Sequence, residues 1–173
     1  VNYYVEDGEI VHTQLIGSPV HFQQTLMNIG SNAVKYNHDG GPVTVTCREV
    51  SYTDTTAEYE LTCTDTGISM SEEFQKRAFE PFAQEGQSAR TKYAGTGLGL
   101  AIARKLTELQ GGTLFFESIQ GKGTKFILHI SFEISAEEPE KKSHMYQNCS
   151  VEGIQVLLVE DNELNMEIAE FLL

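Results

Sequence analysis

The segment GTGLGLAI, residues 95–102, places three glycines at alternate positions immediately before a helical pattern. The apolar residues continue at helical spacing to Leu109, and Gly111-Gly112 predicts the end of that helix. The first turn of a helix leaves backbone N–H groups without partners, and glycines allow a phosphate to approach them. The segment therefore predicts a phosphate-binding turn from a loop into a helix. A tight loop without a ligand is the alternative.

A second predicted helix carries polar side chains on one face. Ser18-Pro19 supplies a capping residue and a proline at the first helical position. Asn28, Asn32 and Lys35 follow at spacings of four and three residues, so two amides and an ammonium group share one face. Such a face suits Mg²⁺ and phosphate, because Mg²⁺ needs only one or two protein oxygens besides water and phosphate. A solvated polar face is the alternative.

One carboxylate stands at the end of a predicted strand. Asp65 follows a strand of alternating character and precedes Thr66-Gly67, a turn signal. At that position it could accept a hydrogen bond from an exocyclic amine. An ordinary Asp-Thr-Gly turn explains the same residues.

The remaining patterns predict an α+β fold, a two-layer sandwich with helices on one face of a mixed, mostly antiparallel sheet. Two short β-like runs in residues 1–16 predict an edge hairpin around Glu6-Asp7-Gly8. A short helix is predicted for residues 71–79, and the polar residues 83–94 predict a loop. The other predicted strands are residues 43–50, 57–65, 113–118 and 124–132.

The pattern changes after residue 132. Residues 133–153 are charged and lack periodicity, which is typical of a linker. Residues 154–173 contain the continuous apolar run VLLVE, which predicts a buried parallel strand that ends on Glu160-Asp161. We therefore predict a catalytic domain over residues 1–132, a linker, and the beginning of a second domain.

Composition excludes several classes of protein. The net charge is −13, from 12 basic and 25 acidic residues, and argues against binding of nucleic acid or an anionic membrane. The three cysteines show no CxxC spacing, which favours a reducing, cytoplasmic location. No apolar stretch is long enough to span a bilayer, so we expect no direct membrane contact of these residues.

Four separated segments resemble, in order, the four boxes of the ATP-binding domain of histidine kinases, a branch of the gyrase, chaperone and mismatch-repair ATPase superfamily. They are HFQQTLMNIGSNAVKYN (21–37), DTGISM (65–70), FEPFAQ (79–84) and GTGLGLAI (95–102). The resemblance covers residues 1 to about 132. It implies a sandwich of the Bergerat type, with ATP and Mg²⁺ as cofactors.

The resemblance also implies roles for individual residues. Asn28, Asn32 and Lys35 would be the catalytic residues, with Asn32 as the Mg²⁺ ligand, and Asp65 would bind the adenine amino group. The nucleotide-binding residues that it implies are Asn28, Asn32, Lys35, Tyr36, Asp65, Gly67, Met70, Lys92, Gly95, Thr96, Gly97, Leu98, Gly99, Leu100 and Thr124.

Two positions depart from the family pattern. Ser69 replaces the second glycine of its box, and its Cβ is expected near the base, where it could restrict φ and weaken or reshape binding. Ala94 replaces the glycine that usually precedes Gly95. We predict that ATP binding is retained.

Asn28 favours phosphoryl transfer over hydrolysis. Hydrolytic members of the superfamily carry glutamate there, four residues before the Mg²⁺ asparagine, and an amide is no general base. Transfer to a histidine needs no such base, because a neutral imidazole nitrogen is already nucleophilic. A nucleotide-binding pseudokinase or sensing module without phosphotransfer is the alternative.

The expected partners lie outside the predicted catalytic domain. None of the five histidines stands in the family's acceptor motif, so the acceptor is expected on dimerisation helices of a parent chain, and the fragment alone is expected not to phosphorylate itself. VLLVEDNELNMEI (156–168) resembles the start of a receiver domain, in which Glu160 and Asp161 would hold Mg²⁺. The parent would then be a hybrid kinase that passes its phosphoryl group to a receiver domain or response regulator. A parent that is anchored in the cell membrane is compatible with the sequence.

Overall fold

The computed structural model describes residues 2–7, 9–85 and 96–136, all within the first of two compact units, residues 1–138. Most of the predicted linker, and the whole predicted receiver segment, lie outside the described residues. The elements are β1 (Asn2–Asp7), β2 (Leu15–Ile16), α1 (Pro19–Lys35), β3 (Pro42–Tyr52), β4 (Thr56–Asp65), α2 (Glu72–Gln75), α3 (Gly99–Leu109), β5 (Thr113–Ile119) and β6 (Gly123–Ile134).

The strands form one sheet in the order β1, β3, β4, β6. The outer edge of β6 pairs with β5 over residues 123–129 and with β2 at residues 133–134. The pair of β1 with β3 is parallel, and the other pairs are antiparallel. The predicted mixed, mostly antiparallel sheet is therefore confirmed, with β6 running two residues past the predicted boundary.

Both long helices pack on the face of the sheet that carries the apolar side chains. Ile29 and Ala33 of α1 and Ala103 of α3 are buried in one cluster with alternate residues of β4 and β6, such as Leu61 and Leu128. The opposite face of these strands carries mainly polar residues. Helices on one side and a polar sheet surface on the other are what alternation along each strand predicts.

Capping residues determine where the helices begin and end. The Ser18 side chain accepts from the N–H of His21, and Pro19 occupies the first turn of α1. At the end of α3, Gly111 has φ of +74°, and the N–H groups of Gly111 and Gly112 donate to Glu108 and Thr107. This is a Schellman motif, as the glycine pair predicts.

The helix predicted for residues 71–79 is shorter than expected. Ser71 caps it, but α2 ends at Gln75, and the N–H groups of Arg77 and Glu80 then donate to carbonyls three residues earlier. A helix of one turn has little cooperative stability, so the chain continues as successive turns.

The predicted hairpin in residues 1–16 is wrong. β1 and β2 lie at opposite edges of the sheet, so they cannot pair. The intervening chain crosses β3 and β4 and is held by Glu49, whose Oε2 accepts from the N–H groups of Val11 and His12. Its Oε1 contacts Nδ1 of His12 at 2.8 Å. These long-range contacts, which local pattern does not reveal, outweigh the turn signal at residues 6–8.

Glu49 makes the stability of this crossing depend on pH. The backbone N–H of His12, which donates to the carboxylate, holds the pKa of Glu49 below its ordinary value of 4.5. A lowered pKa stabilises the fold above the unfolded pKa, and that contribution is lost as pH falls through the folded pKa. We expect Glu49→Gln to lower Tm at neutral pH and the difference from the parent chain to vanish in acid. Thermal melts from neutral to acidic pH test this prediction, with Glu133→Gln as the control at an exposed glutamate. A difference in Tm between Glu49→Gln and the parent chain that does not change with pH would contradict it.

Candidate functional site

A cavity of about 240 Å³ opens beside the carboxyl end of α1 and the end of β4. The segment after β4, the first residues of α3 and the start of β6 complete its walls. The described residues that line it are Ser31, Asn32, Lys35, Tyr36, Asp65, Ile68, Met70, Phe74, Ala78, Ala83, Gln84, Glu85, Thr96, Gly97, Gly99, Leu100, Thr124 and Phe126. Four segments far apart in sequence thus meet at one concave site, which is typical of small-ligand sites.

Asp65 is the buried charge of this cavity, with 4% of its surface exposed. Burial raises the pKa of Asp65, and the N–H groups of Gly67 and Thr124 partly offset that shift. Both donate to Oδ1, at 2.9 Å and 3.3 Å. Among the described residues these are the hydrogen bonds of the carboxylate, so Oδ2 is available to a donor on a ligand.

Gly67 brings the end of α1 against the end of β4. A Cβ at this position would lie 2.1 Å from the carbonyl oxygen of Tyr36 and 2.6 Å from Cα of Asn37. The N–H of Ile68 donates to that same Tyr36 carbonyl at 2.9 Å. Gly67 is not among the described residues that line the cavity; it admits the backbone at the end of α1, whose residue Tyr36 lines the cavity together with Asp65.

Asn37 supports the same junction from behind. It is buried, its Nδ2 donates to the carbonyl of Pro42, and its Oδ1 accepts from the N–H of His38 and the hydroxyl of Thr66. The side chain therefore connects the end of α1, the beginning of β3 and the turn after β4. From the sequence alone, Asn37 could be identified only as a turn residue after the helix, and this did not indicate a role in the site.

The face of α1 predicted to be polar does turn toward the cavity. Asn32 and Lys35 line it, and Nζ of Lys35 lies 4.9 Å from the centre of the Tyr36 ring. Among the described residues no carboxylate forms a salt bridge with Lys35, so its charge is available to an anion. Asn28 is not among the lining residues but lies beside the beginning of α3, since a Cβ added at Gly99 would be 3.5 Å from Oδ1 of Asn28.

The described part of the glycine-rich segment lies at the cavity. Thr96, Gly97, Gly99 and Leu100 line it, whereas Leu98 is the N-cap of α3 and does not. The N-cap residue Leu98 makes no side-chain capping hydrogen bond, so among the described residues the first N–H groups of this helix are available to a ligand. Lys92 and Gly95 lie outside the described residues.

Gly97 is required by a close approach of two backbone segments. Its φ is +72°, and a Cβ would lie 2.7 Å from the carbonyl carbon of Phe82 and 2.8 Å from the carbonyl oxygen of Ala83. Phe82 itself has φ of 64°, although it is not a glycine. The FEPF segment and the glycine segment are thus in direct backbone contact beside the cavity.

Ser69 does not crowd the cavity. Phe82 is the one non-glycine residue with positive φ in the described chain, so the missing glycine causes no strain at Ser69. The Ser69 hydroxyl accepts from the N–H of Gly121 at 2.8 Å, in the turn between β5 and β6. Ser69 therefore shows no left-handed strain, and its expected effect on nucleotide binding stays a prediction. Ala94 lies outside the described residues.

Several lining residues were not predicted from the sequence. They are mainly the apolar wall, formed by Ile68, Phe74, Ala78 and Phe126, and the residues that follow FEPF. The spacing of Phe74 and Ala78 is helical, and Ile68 and Met70 alternate as in an extended segment. That periodicity was a usable signal, but it is equally typical of ordinary core residues.

A two-layer sandwich with a buried carboxylate and a helix N-terminus at one cavity suits a ligand that carries both a hydrogen-bond donor and a phosphate, as nucleotides do. Residues 17–134 match the family described as histidine kinase-, DNA gyrase B-, and HSP90-like ATPase, and the chain belongs to that family.

Two relatives of this chain are named as histidine kinases. The chain is 40% identical over 116 residues to histidine protein kinase 1 of Candida albicans, a match that covers 67% of this chain and 5% of that protein. It is 37% identical over 163 residues to the sensor histidine kinase AruS of Pseudomonas aeruginosa, which covers 94% of this chain and 16% of that protein. The chain thus spans a small part of the curated relatives it matches.

Solved structures agree with this relationship. The crystal structure of full-length ShkA in complex with AMPPNP aligns with a TM-score of 0.60 and 26% identity, over 79% of this chain and 26% of that one. The resemblance to the catalytic domain of histidine kinases, and the predicted α+β sandwich, are confirmed.

Proposed function

We propose that this domain binds ATP with Mg²⁺ and donates the γ-phosphoryl group to a histidine on the dimerisation helices of a parent sensor kinase of the hybrid type. The observation that carries the proposal is the meeting of Asp65, Asn32, Lys35 and the N-terminus of α3 in one cavity. One end of the cavity suits a base with an amino group. The other suits a polyphosphate.

The base end combines one charge with apolar walls. Oδ2 of Asp65 accepts from the adenine amino group, while Thr124 contacts the same edge of the base. Met70 and Tyr36 pack on the base, and apolar and aromatic surface of this kind favours a flat heterocycle. Burial makes the hydrogen bond to Asp65 selective, because a ligand without a donor there leaves a buried carboxylate unpaired.

The phosphate end supplies donors and positive charge. The N–H groups at Gly97, Gly99 and Leu100 bind the phosphates, and Lys35 neutralises part of their charge. In the same way we assign phosphate contacts to Lys92, Gly95, Thr96 and Leu98. These assignments follow the family resemblance together with the placement of the described residues.

The residues of α1 fit a hydrated Mg²⁺ beside phosphate. The Nδ2 group of Asn28 is buried without a hydrogen-bond partner in the described part of the chain, an arrangement that a bound phosphate oxygen would satisfy. Asn32, one turn further on, would hold Mg²⁺ through its amide oxygen. When bound, the ion neutralises charge that develops on the phosphate oxygens.

The carboxylates of the cavity do not serve hydrolysis. Asp65 lies at the base end, and Oε1 of Glu85 accepts from the N–H of Ser71 at 2.7 Å. Asn28 occupies the position where a water-activating glutamate would stand. Transfer instead forms a bond between the γ-phosphorus and an imidazole nitrogen and breaks the bond to the β–γ bridging oxygen, which leaves with ADP. Positioning and charge neutralisation by this chain are then sufficient.

The surroundings of the domain follow from the same proposal. Its partners are the dimerisation helices and either a receiver domain, of which residues 154–173 form the start, or a separate response regulator. Its location is cytoplasmic. Among the described residues no helix is long and apolar enough to cross a bilayer. The acidic net charge of −13 argues against nucleic acid as a partner.

The test is phosphotransfer in trans. The chain is mixed with labelled ATP, Mg²⁺ and separately produced dimerisation helices of a histidine kinase of this family, and the acid-labile label on the helices is measured. We expect Asn32→Ala to lower the rate at least about a hundredfold, since it removes charge stabilisation in the transition state. Gln24→Ala, an exposed amide on the same helix, is the matched control. Binding of ATP without label on any helix substrate would favour a sensing module, and steady phosphate release would favour an ATPase.

A further inference from the structure

Three polar residues form a row across the end of the sheet beneath the base end of the cavity. Asp65 of β4 is paired with Thr124 of β6, and Thr124 is paired with Ser118 of β5. Residues in register on neighbouring strands project to the same face. Asp65 and Thr124 line the cavity, whereas Ser118 lies behind them.

The Ser118 hydroxyl connects two walls of the cavity. It accepts from the N–H of Met70 at 2.8 Å, lies 3.0 Å from Oγ1 of Thr124, and lies 3.3 Å from the carbonyl oxygen of Gly123. A serine hydroxyl has one hydrogen and two lone pairs. If the Ser118 hydroxyl donates to the carbonyl oxygen of Gly123, it accepts from the Thr124 hydroxyl. If it donates to Oγ1 of Thr124 instead, the Thr124 hydroxyl is free to donate to a ligand.

Gln75 holds Ser118 and Met70 together. Its Nε2 donates to the carbonyl of Met70 at 2.9 Å and to the carbonyl of Ser118 at 3.1 Å. Both amide hydrogens are thus used between the segment after β4 and strand β5. Because α2 is a single turn, this side chain is what attaches it to the sheet at this point.

We propose that Ser118, held by Gln75, is a positioning residue for recognition of the amino-bearing edge of adenine. The inference rests on the proposed function and extends it from the residues that touch the base to those that orient them. Ser118 sets which way the Thr124 hydroxyl points beside Asp65, and fixes Met70 against the base. The hydroxyl pair presents a donor next to the carboxylate acceptor, and that pattern matches the ring nitrogen and amino group of adenine.

The test compares two nucleotides on three chains. Calorimetric titration with Mg²⁺ and either ATP or 1-deaza-ATP, which keeps the amino group but has a C–H in place of the neighbouring ring nitrogen, is made on the parent chain, Ser118→Ala and Ser131→Ala. Ser131 is exposed on β6 and controls for the substitution itself. We expect Ser118→Ala to weaken the binding of ATP about tenfold and the binding of the analogue much less, since the analogue has no ring nitrogen to accept from the Thr124 hydroxyl that Ser118 orients. Ser131→Ala should leave both affinities unchanged, and Ser118→Thr, which keeps the hydroxyl, should restore the preference for ATP.

If the role of Ser118 is purely structural, Ser118→Ala will weaken the binding of both nucleotides equally, and that result would overturn the inference. Gln75→Met is a second test of the inference, because it keeps the length of the side chain but removes both hydrogen-bond donors. We expect this variant to show a smaller difference in affinity between ATP and the analogue, while circular dichroism shows an intact fold. An unchanged preference in folded Gln75→Met and Ser118→Ala would likewise overturn it. If the parent chain binds neither nucleotide, the proposed function itself fails, which is a distinguishable outcome.

Discussion

Asp65→Asn is expected to lower the affinity for ATP about a hundredfold while the domain stays folded. The amide oxygen can replace Oδ1 as acceptor from the N–H groups of Gly67 and Thr124, so the local backbone keeps its partners. The amide nitrogen then replaces Oδ2 and opposes the amino group of adenine with a second donor. Isothermal titration of ATP with Mg²⁺ measures the loss.

The stability of Asp65→Asn should move in the opposite direction to its affinity. Burial raises the pKa of Asp65 above its ordinary value of 3.8, so the ionised group opposes folding at neutral pH. A raised carboxyl pKa contributes stability below the unfolded pKa that is lost as pH rises through the folded pKa. The variant is therefore expected to melt at or above the temperature of the parent chain at neutral pH, and this advantage should disappear in acid.

Asp54→Asn is the matched control for both measurements. Asp54 is exposed in the turn between β3 and β4, so its variant should match the parent chain in affinity and stability. Equal ATP affinity of Asp65→Asn and the parent chain would contradict the assignment of Asp65. A large loss of stability in the variant would show that its carboxylate is structural rather than a ligand contact.

Gly67→Ala is expected to disrupt the site and the fold together. The added Cβ would lie 2.1 Å from the Tyr36 carbonyl oxygen, which is backbone and cannot rotate away. We expect a loss of about 3 kcal/mol in the free energy of unfolding, as for overpacking in a tight contact. The end of α1 must also shift from β4, so ATP affinity should fall at least about tenfold, because Asn32 and Asp65 no longer share one geometry.

Gly111→Ala separates these effects from the general consequence of losing a glycine. Gly111 has φ of +74° but open space around its Cβ position, so its variant meets left-handed strain without a clash. We expect a loss of about 1 kcal/mol in stability and unchanged ATP affinity. Chemical denaturation measures the stability of both variants, and titration measures their affinity for ATP. Unchanged ATP affinity in folded Gly67→Ala would contradict the claim that Gly67 is needed to pack the end of α1 against β4.

Most of the fold could be predicted because its signals are local. Ser18-Pro19 and Gly111-Gly112 mark helix ends through capping geometry, and alternation identifies β3, β4, β5 and β6. The predicted edge hairpin was wrong because long-range contacts, and not local signals, determine the path of these residues. β1 pairs with β3 across some forty residues, and the contact that decides its path is the carboxylate of Glu49, which no local periodicity reveals.

Residue type and family resemblance together indicated Asn32, Lys35, Asp65 and the glycines near the beginning of α3, and the structure brings these residues to one cavity, while their roles stay a prediction. The site was not predictable where the role depends on register between strands. Ser118 reads as an ordinary strand residue until its pairing with Thr124 is known, and Gly67 reads as a turn glycine until Tyr36 is placed against it. Ser69 shows the same limit, because its hydroxyl partner lies in another hairpin.

The most direct test of the central claim is a titration of this chain with ATP and Mg²⁺. We predict saturable binding of one ATP per chain, clearly weaker binding of GTP, which lacks the amino group opposite Asp65, and ATP binding by Asp65→Asn that is about a hundredfold weaker than that of the parent chain. Absence of saturable ATP binding by the folded chain, or equal binding of GTP, would contradict the account.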